Sequence, residues 1–341
     1  MKLRLGLSLL LLAPLAISAQ SSAPGPVRVF ILAGQSNMEG KAKISLLERQ
    51  LAHPDTREDL AHLRNEDGWT KRDDVWIKFL DRSGPLTIGY GSPGCIGPEL
   101  EFGRVVGDRF EAPVLLIKTA WGGKSLARDF RPPSATKPPA TEIQRLLANQ
   151  REKRPETTEE DVHASFGASY RAMLSEVRDT LQQIDAYVPQ AGDRGHELAG
   201  FVWFQGWNDL VNRDYAAEYT ANLTCLIRDI RRDLEAPKLP FVIGQLGVDG
   251  PNADEKKRAF KNAQAAAADE PDLRGTVAVV RTDAFWDEAA HAVFKKGWRE
   301  HLEEWNEVGS DYPFHYLGSV KTMRGIGGAF GEAVLGLYDA R

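Results

Sequence analysis

The sequence predicts an α/β fold: a three-layer α/β/α sandwich around a central parallel sheet of about five strands. Short apolar runs recur along the chain, and each is nearly continuous in apolar residues rather than alternating with polar ones. Such runs are typical of strands that are buried on both faces of a parallel sheet. Helical patterns separate the runs, so that strand and helix alternate, which favours a doubly wound arrangement.

These patterns define the predicted elements in chain order. The strands are predicted at "VRVFILAG" (27–34), "APVLLIKTA" (112–120), "LAGFVWFQG" (198–206), "PFVIGQLG" (240–247) and "TVAVVRT" (276–282). The helices are predicted at residues 97–110, 165–184, 215–234, 254–269 and 317–338. Two polar segments, near residues 41–95 and 127–162, interrupt the alternation. We interpret them as insertions in a single domain that covers residues 27–341.

Composition and charge narrow the class of protein. The chain has 341 residues, 42% of them hydrophobic and 27% charged, which is an ordinary globular composition and ample for a large core. Its 43 Lys and Arg residues against 48 Asp and Glu residues give a net charge of -5. Because there is no basic excess to neutralise phosphates, we expect no nucleic-acid partner.

The N-terminus, "MKLRLGLSLLLLAPLAISAQ", has the layout of a secretory signal peptide. Lys2 and Arg4 form a short basic region, an apolar run follows, and small residues lie near Ala19. Pro14 interrupts the run, which is short for a membrane span. Residues 1–20 are therefore predicted to be removed, leaving a secreted or periplasmic chain with no stable membrane association.

The cysteines indicate neither a zinc site nor a cofactor. Cys95 and Cys225 are the two cysteines of the chain, and the sequence contains no CxxC motif and no Cys/His cluster. A structural zinc site is therefore not expected, and we predict that the protein uses no metal and no organic cofactor. In an exported chain the two thiols could form a disulfide or stay as two buried thiols, and both alternatives are open.

Chemistry is expected where the strands end, because open α/β sheets bind ligands at the carboxyl ends of their strands. "GQSN" follows the first strand, "WGGKS" (121–125) the second, and "QGWND" (205–209) ends the third. Ser36 in the first of these is either a nucleophile or a helix N-cap. On this motif alone the two interpretations are equally good.

A serine nucleophile needs a base, and His315 is the best candidate among the seven histidines. It lies in the loop "SDYPFHYLGS", and Asp311 precedes it closely. The other six histidines have polar or helical surroundings without special neighbours. A GxSxG motif is absent, which disfavours the common α/β-hydrolase architecture.

These residues are similar to a known family. "FILAGQSNMEG", "TAWGGKSL", "GFVWFQGWNDL" and "FHYLGS" resemble the four signature blocks of the SGNH (GDSL-like) hydrolase superfamily. More narrowly, they resemble its carbohydrate acetylesterase branch, which includes sialate O-acetylesterases and acetylxylan esterases. The resemblance spans about residues 27–338 and implies a flavodoxin-like fold and a serine esterase that acts on acetylated carbohydrate.

The resemblance also implies roles for individual residues. Ser36 matches the nucleophile and His315 the base. Gly122, in preference to Gly123, matches a glycine whose N–H lines the oxyanion hole together with the Ser36 N–H. Asn208 matches an asparagine whose side-chain amide is a further oxyanion donor.

Three further residues at the strand ends are expected to bind the substrate, namely Gln35, Gln205 and Trp207. Trp207 stands where this branch commonly has an acidic residue. Aromatic rings stack on sugar faces, so Trp207 is well placed to line a cleft.

The acid of the catalytic triad is the position at which the sequence departs from the superfamily. The usual spacing of acid and base is Asp-x-x-His, whereas Asp311 and His315 form Asp-x-x-x-His. Three possibilities stay open: Asp311 orients His315, Asp283 after the fifth strand replaces it, or a backbone carbonyl orients the ring.

The leading hypothesis is thus an exported serine esterase that removes O-acetyl groups from carbohydrates of the acetylxylan or sialate type. Two alternatives remain open. The first is a carbohydrate-binding protein that kept the fold and lost catalysis, for which the altered acid spacing is the support. The second is an esterase for a non-sugar acyl ester.

Overall fold

The computed structural model describes residues 25–341, so the predicted signal peptide lies outside the described residues. Its strands are β1 Val27–Gly34, β2 Ala42–Lys43, β3 Arg64–Asn65, β4 Gly68–Trp69, β5 Val75–Phe79, β6 Arg82–Pro85, β7 Cys95–Ile96, β8 Val114–Ala120, β9 His196–Phe204, β10 Phe241–Gln245 and β11 Val277–Arg281. Its α-helices are α1 Ser36–Glu39, α2 Ile44–Ala52, α3 Arg57–Leu60, α4 Glu99–Arg109, α5 Ala140–Arg151, α6 Glu159–Ser165, α7 Ala168–Gln182, α8 Ile184–Tyr187, α9 Trp207–Leu210, α10 Arg213–Ala217, α11 Tyr219–Asp233, α12 Glu255–Ala266, α13 Glu288–Lys295, α14 Leu302–Val308 and α15 Val320–Asp339.

The predicted α/β class is confirmed, and the five predicted strands are β1, β8, β9, β10 and β11. They belong to a seven-stranded sheet with the order β11-β10-β9-β1-β8-β5-β6. Every neighbouring pair is parallel except β5 and β6, which pair antiparallel.

The sheet is larger than predicted because the segment 41–95 contributes two of its strands. β5 pairs parallel with β8, and β6 closes that edge. In β5, buried positions alternate with half-buried ones, and Trp76 and Lys78 occupy the half-buried positions. A search for continuous apolar runs therefore misses this strand. The segment 127–162 instead holds helices α5 and α6, which share a small apolar cluster of their own.

Helices cover both faces of the sheet. Phe204 at the end of β9 packs edge-on against Phe330 of α15, with 5.3 Å between the ring centroids. On the opposite face, the indole N–H of Trp203 in β9 donates to the hydroxyl of Tyr219 in α11 at 3.3 Å. Trp203 is fully buried, so this tryptophan belongs to the core rather than to a cleft.

The strand order fixes where a site forms. Strand β1 lies between β8 and β9. From β1 the chain forms β5, β6 and β8 on one side of it and then crosses to β9 on the other. In doubly wound sheets the crevice at such a reversal is where ligands bind. The segments that follow β1 and β9 therefore meet at the carboxyl edge of the sheet.

Within residues 25–341, no helix combines the length and the apolar character that crossing a membrane requires.

Cys95 and Cys225 are both free thiols, so the structure does not join them in a disulfide.

Candidate active site

Ser36 is the first residue of α1, immediately beyond the turn that ends β1. Two glycines make this turn possible. A Cβ atom at Gly34 would lie 2.1 Å from the carbonyl oxygen of Phe204, and one at Gly40, where φ is +90°, would lie 2.1 Å from the Cα of Gly97. The N-cap residue of α1 is Gln35 rather than Ser36. The hydroxyl of Ser36 is thus not used for capping.

The Ser36 hydroxyl faces His315. The Nε2 atom of His315 lies 2.9 Å from Ser36 Oγ, and its Nδ1 atom lies 3.1 Å from Asp311 Oδ1. Ser36 itself is 5% exposed, whereas His315 and Asp311 are half-buried. The structure therefore brings together three residues that lie 279 and 4 positions apart along the chain, in the order serine, imidazole, carboxylate.

The loop that carries His315 accommodates the unusual Asp-x-x-x-His spacing. The segment Pro313–Gly318 is a 3-10 turn in which Tyr316 and Leu317 adopt positive φ values of 54° and 61°. These values reverse the chain, and Asp311 N–H donates to the carbonyl of Leu317 at 3.0 Å. Between acid and base, the His315 N–H donates to the Tyr312 carbonyl at 2.9 Å, and this turn keeps the two side chains in contact despite the extra residue.

The electrostatics of Asp311 favour an ionised carboxylate. Burial alone would raise the pKa of Asp311, but hydrogen bonds from His315 and from the backbone N–H of Tyr312 outweigh it and hold the pKa below its usual value. An ionised Asp311 accepts the N–H of His315 Nδ1, which leaves Nε2 as the acceptor for the Ser36 hydroxyl.

Asp283, the other candidate acid, has a different partner. Its carboxylate Oδ2 receives a hydrogen bond from Lys261 Nζ at 2.7 Å. Burial raises the pKa of Asp283, but the hydrogen bonds from Lys261 and Arg281 outweigh this effect, so the pKa lies below its ordinary value. The His315 ring, by contrast, directs Nδ1 at Asp311.

The predicted oxyanion donors lie in the exposed turn that follows β8 and at the start of α9. The Gly122 N–H donates to Glu39 Oε1 at 2.8 Å, and the Asn208 amide Nδ2 donates to the Gly123 carbonyl at 3.0 Å. Asn208 is half-buried, so its side chain lies at the surface of the crevice. The Gly122 N–H is thus engaged by a carboxylate in this structure.

Gln35 and Gln205 form part of the wall behind the serine. Both are buried, and Gln205 Nε2 donates to Gln35 Oε1 at 3.1 Å and to Asp209 Oδ2 at 2.6 Å. Trp207 differs from them, because it is half-buried and packs against Phe314 with 5.6 Å between the ring centroids. Trp207 therefore lies next to the loop of His315.

Asp209 joins the two loops that flank the serine. Its carboxylate is fully buried and accepts the backbone N–H groups of Leu126 and Ala127, each at 2.9 Å. Burial raises the pKa of Asp209 to about 7, although these backbone donors and Gln205 act in the opposite direction. The "ND" pair of α9 thus presents Asn208 to the crevice and uses Asp209 to hold the turn after β8.

Sequence reasoning missed Glu39. Its carboxylate accepts from the Gly122 N–H at 2.8 Å, from Ser92 Oγ at 2.9 Å and from Lys41 Nζ at 3.0 Å. Burial raises the pKa of Glu39, but the bonds to Lys41, Ser92 and Gly122 lower it overall. A signal was present in the sequence, because Glu39 lies in the same short motif as Ser36.

Sequence reasoning also missed Tyr316, the residue that follows His315. Tyr316 is fully buried, and its hydroxyl accepts the Gly247 N–H at 2.7 Å and shares a hydrogen bond of 2.6 Å with Thr282 Oγ1. This hydroxyl ties the loop of His315 to the ends of β10 and β11. A buried tyrosine beside a base carries no distinct sequence signal.

A metal site was not predicted, and residues 25–341 contain no group of three or more His, Cys, Asp or Glu side chains able to hold an ion.

The fold resembles that of a solved protein structure. A protein from Arabidopsis thaliana superposes with a TM-score of 0.53 at 17% sequence identity, covering 91% of this chain and 98% of the other. A carbohydrate acetylesterase from Xanthomonas citri gives a TM-score of 0.48 at 13% identity, covering 92% of this chain and 57% of the other. A Corynascus thermopiles (Myceliophthora fergusii) carbohydrate esterase family 2 enzyme with a carbohydrate binding domain gives 0.41 at 16% identity, covering 93% and 68%.

The family is shown by sequence. Residues 26–291 match the family SASA, described as "Carbohydrate esterase, sialic acid-specific acetylesterase". The match covers well over half of the chain, and the chain belongs to this family. The protein is therefore a carboxylic ester hydrolase, and the resemblance to the carbohydrate acetylesterase branch is confirmed. No curated protein matched the chain. Asp311 and His315 lie beyond the matched residues.

Proposed function

We propose that this carbohydrate acetylesterase uses Ser36 as its nucleophile, His315 as its general base and Asp311 as the group that orients His315. The observation that carries the proposal is the continuous pair of contacts, 2.9 Å from Ser36 Oγ to Nε2 and 3.1 Å from Nδ1 to Asp311 Oδ1. Both distances lie within the hydrogen-bond range of a nucleophile, a base and an orienting acid.

In the proposed reaction, Ser36 Oγ attacks the acetyl carbonyl carbon as its proton passes to His315 Nε2. The carbonyl electron pair moves onto oxygen and forms a tetrahedral oxyanion. When this intermediate collapses, the bond to the sugar oxygen breaks and His315 returns the proton to that oxygen. Water, deprotonated by His315, then attacks the acetyl-Ser36 ester, and acetate leaves with Ser36 regenerated.

The oxyanion needs donors, and each well-placed donor contributes a few kcal/mol to transition-state stabilisation. We assign this role to the Ser36 N–H and to the second N–H of the Asn208 amide, whose first N–H donates to the Gly123 carbonyl. We do not assign it to the Gly122 N–H, the third predicted donor, because that N–H donates to Glu39 Oε1.

Family membership supports an acetylated carbohydrate as substrate, and two types of sugar are the candidates. The family description names a sialic acid-specific acetylesterase, and the sequence motifs also resemble acetylxylan esterases. Acetate release from O-acetylated sialic acid and from acetylated xylan distinguishes these two substrates. Strong activity on long-chain p-nitrophenyl esters would instead favour the non-sugar alternative.

The decisive test is hydrolysis of p-nitrophenyl acetate and of acetylated sugars by the purified enzyme and by Ser36→Ala. We expect the substitution to lower kcat on the order of a thousandfold or more, because no other group replaces the nucleophile. Ser83→Ala, at an exposed position in β6, is the matched control. Turnover that survives Ser36→Ala would overturn the assignment. A wild-type protein inactive on every acetyl ester would favour the binding-only alternative.

We also propose that the protein is exported, on the basis of its basic and then apolar N-terminus. N-terminal sequencing of the protein recovered from the medium or periplasm tests this proposal. A mature N-terminus near residue 20 is expected, and an intact Met1 in the cytoplasm would contradict it.

A further inference from the structure

A row of aromatic rings runs from the candidate active site to a cavity beside it. Trp207 packs against Phe314 at 5.6 Å between centroids, Phe314 stacks on Tyr312 at 5.5 Å with an interplanar angle of 4°, and Tyr312 meets Trp298 at 6.3 Å. Phe314 also contacts the His315 ring at 4.5 Å. The row therefore begins at the start of α9, passes the proposed base and continues away from Ser36.

The far end of this row opens into a cavity of about 500 Å³, a size typical of small-molecule sites. Trp298, Trp305 and Tyr312 line one part of it, and Ser45, Asn306 and Asp311 supply polar atoms. The cavity thus shares Asp311 and Tyr312 with the loop of the candidate active site. We call it the aromatic cavity.

Exposure of apolar surface is concentrated around this region. Among the described residues, the exposed large hydrophobic side chains are Val211 at 55%, Leu302 at 50% and Tyr312 at 43%. Leu302 and Tyr312 line the aromatic cavity, and Val211 follows α9 directly after the segment that contains Trp207. Two of these three exposed side chains therefore border the aromatic cavity.

The rings are held in place by neighbouring groups. The guanidinium of Arg299 lies 4.7 Å from the centroid of the Trp298 ring, and its Nη2 lies 3.4 Å from the Tyr312 hydroxyl. Trp305 is buried and packs against Trp298 at 5.7 Å. A surface fixed in this way loses little conformational entropy when a ligand binds.

We propose that the aromatic cavity is a second carbohydrate subsite, which binds the sugar residues next to the acetylated one. This inference rests on the proposed function and names its substrate as an oligosaccharide or polysaccharide rather than a free monosaccharide. A sugar chain presents apolar ring faces and hydroxyl groups together, and the cavity offers aromatic rings beside Ser45, Asn306 and Asp311. An acyl tail would leave the side chains of Ser45 and Asn306 without partners.

The test compares Trp298→Ala and Trp298→Phe with the matched control Trp69→Ala, a half-buried tryptophan of β4 outside the aromatic cavity. On acetylated xylo-oligosaccharides of several rings, Trp298→Ala is expected to lower kcat/KM about tenfold, as the loss of one aromatic contact predicts. Trp298→Phe is expected to restore most of it. On p-nitrophenyl acetate, which reaches only Ser36, all three variants are expected to retain wild-type rates.

A binding measurement separates this proposal from the proposed function. In a Ser36→Ala background, titration with unacetylated xylohexaose and with sialyllactose requires no turnover. Binding of either probe that weakens about tenfold with Trp298→Ala supports the subsite even if the catalytic assignment fails. Absence of binding by both probes, or an equal effect of Trp298→Ala on p-nitrophenyl acetate, would overturn it. The proposal would also be overturned if Trp298→Ala lowered activity on long acyl esters alone, or if it changed the oligomeric state and nothing else.

Discussion

Glu39 links the nucleophile motif to the turn after β8. Its carboxylate accepts three hydrogen bonds, from Gly122, Ser92 and Lys41. On the backbone of the same residue, the Glu39 carbonyl accepts from Lys118 Nζ at 2.8 Å. Lys118 is fully buried and also pairs with Glu99 at 2.7 Å. The helix that presents Ser36 is therefore held at its last residue through both side chain and backbone.

The first prediction concerns Glu39→Gln. The amide keeps one acceptor oxygen but loses the charge that attracts Lys41, so the Gly122 turn becomes less ordered. We expect kcat on p-nitrophenyl acetate to fall about tenfold, as the loss of one charged hydrogen bond implies, with KM little changed. Steady-state kinetics measures both constants. A rise in kcat would show instead that Glu39 competes with the oxyanion for the Gly122 N–H.

Asp209→Asn is the second prediction. The Asp209 carboxylate accepts hydrogen bonds from Leu126, Ala127 and Gln205. An asparagine has one acceptor oxygen, so its NH₂ group would face one of these donors and leave it without a partner. We expect a loss of about 1–3 kcal/mol in the free energy of unfolding, together with a lower kcat, because Asn208 and Gly123 shift with this support.

Asp229→Asn is the control for that prediction. Asp229 is buried on α11 and accepts the Ser134 N–H at 2.8 Å. Urea denaturation is expected to show destabilisation of both variants, whereas kcat per folded molecule falls only for Asp209→Asn. An unchanged kcat in Asp209→Asn would make Asp209 a structural residue alone.

At the scale of elements, the loop 310–318 decides whether the proposed base reaches the serine. Ser310 N–H donates to the Leu317 carbonyl at 2.7 Å, and Ser310 Oγ donates to the Gly318 carbonyl at 2.8 Å. These bonds close the loop on itself, and Tyr316 then attaches it to Gly247 and Thr282. His315 is thus positioned by a closed loop anchored to two strand ends.

Tyr316→Phe is predicted to loosen that anchor. The substitution leaves the buried Gly247 N–H without its acceptor, which costs about 1–3 kcal/mol. We expect kcat to fall several-fold, because the loss of such a bond lets His315 drift from Ser36. Tyr170→Phe is the control, since the buried Tyr170 donates to Asp233 at 2.7 Å and lies on α7. Equal kcat values in the two variants would contradict the positioning role.

The elements also show what the sequence could predict. Strands β1, β8, β9, β10 and β11 were predictable because burial on both faces leaves a nearly continuous apolar run. Strand β5 at the other side of the sheet was not, because Trp76 and Lys78 are half-buried and break the run. The helix predicted at 215–234 is divided into α10 and α11, with Glu218 between them. Local propensity does not reveal that junction.

At the scale of the whole molecule, topology assembles the candidate site. The strand order puts the ends of β1 and β9 side by side, so the positions of Ser36 and Asn208 followed from the sequence. The contact of Asp311 with His315 did not, because it depends on the turn in which the His315 N–H donates to the Tyr312 carbonyl at 2.9 Å. The engagement of Gly122 by Glu39 did not either, since the motif around Ser36 does not show which N–H group the Glu39 carboxylate accepts.

A cluster of charged side chains around Glu101 joins distant segments of the chain and bears on stability rather than catalysis. Glu101 of α4 binds His62 Nε2 at 3.1 Å and Arg104 at 2.7 Å, and Arg324 of α15 lies 3.6 Å away. Burial raises the pKa of Glu101, but the bonds to His62 and Arg104 outweigh it and lower the pKa to about 2, from an ordinary value of 4.5. The folded chain therefore holds this carboxylate ionised at pH values where the unfolded chain protonates it.

The stability contribution of a carboxyl with a depressed pKa is fully present above its ordinary pKa and is lost as pH falls toward its folded pKa. For Glu101 that window lies between pH 4.5 and about 2. Glu101→Gln is expected to lower the free energy of unfolding by about 3 kcal/mol at neutral pH. The difference from wild type should narrow as pH falls through the window. Urea denaturation at several pH values measures it, with the exposed Glu48→Gln as control. A difference that stays constant from pH 7 to pH 3 would assign the loss to packing rather than to ionisation of Glu101.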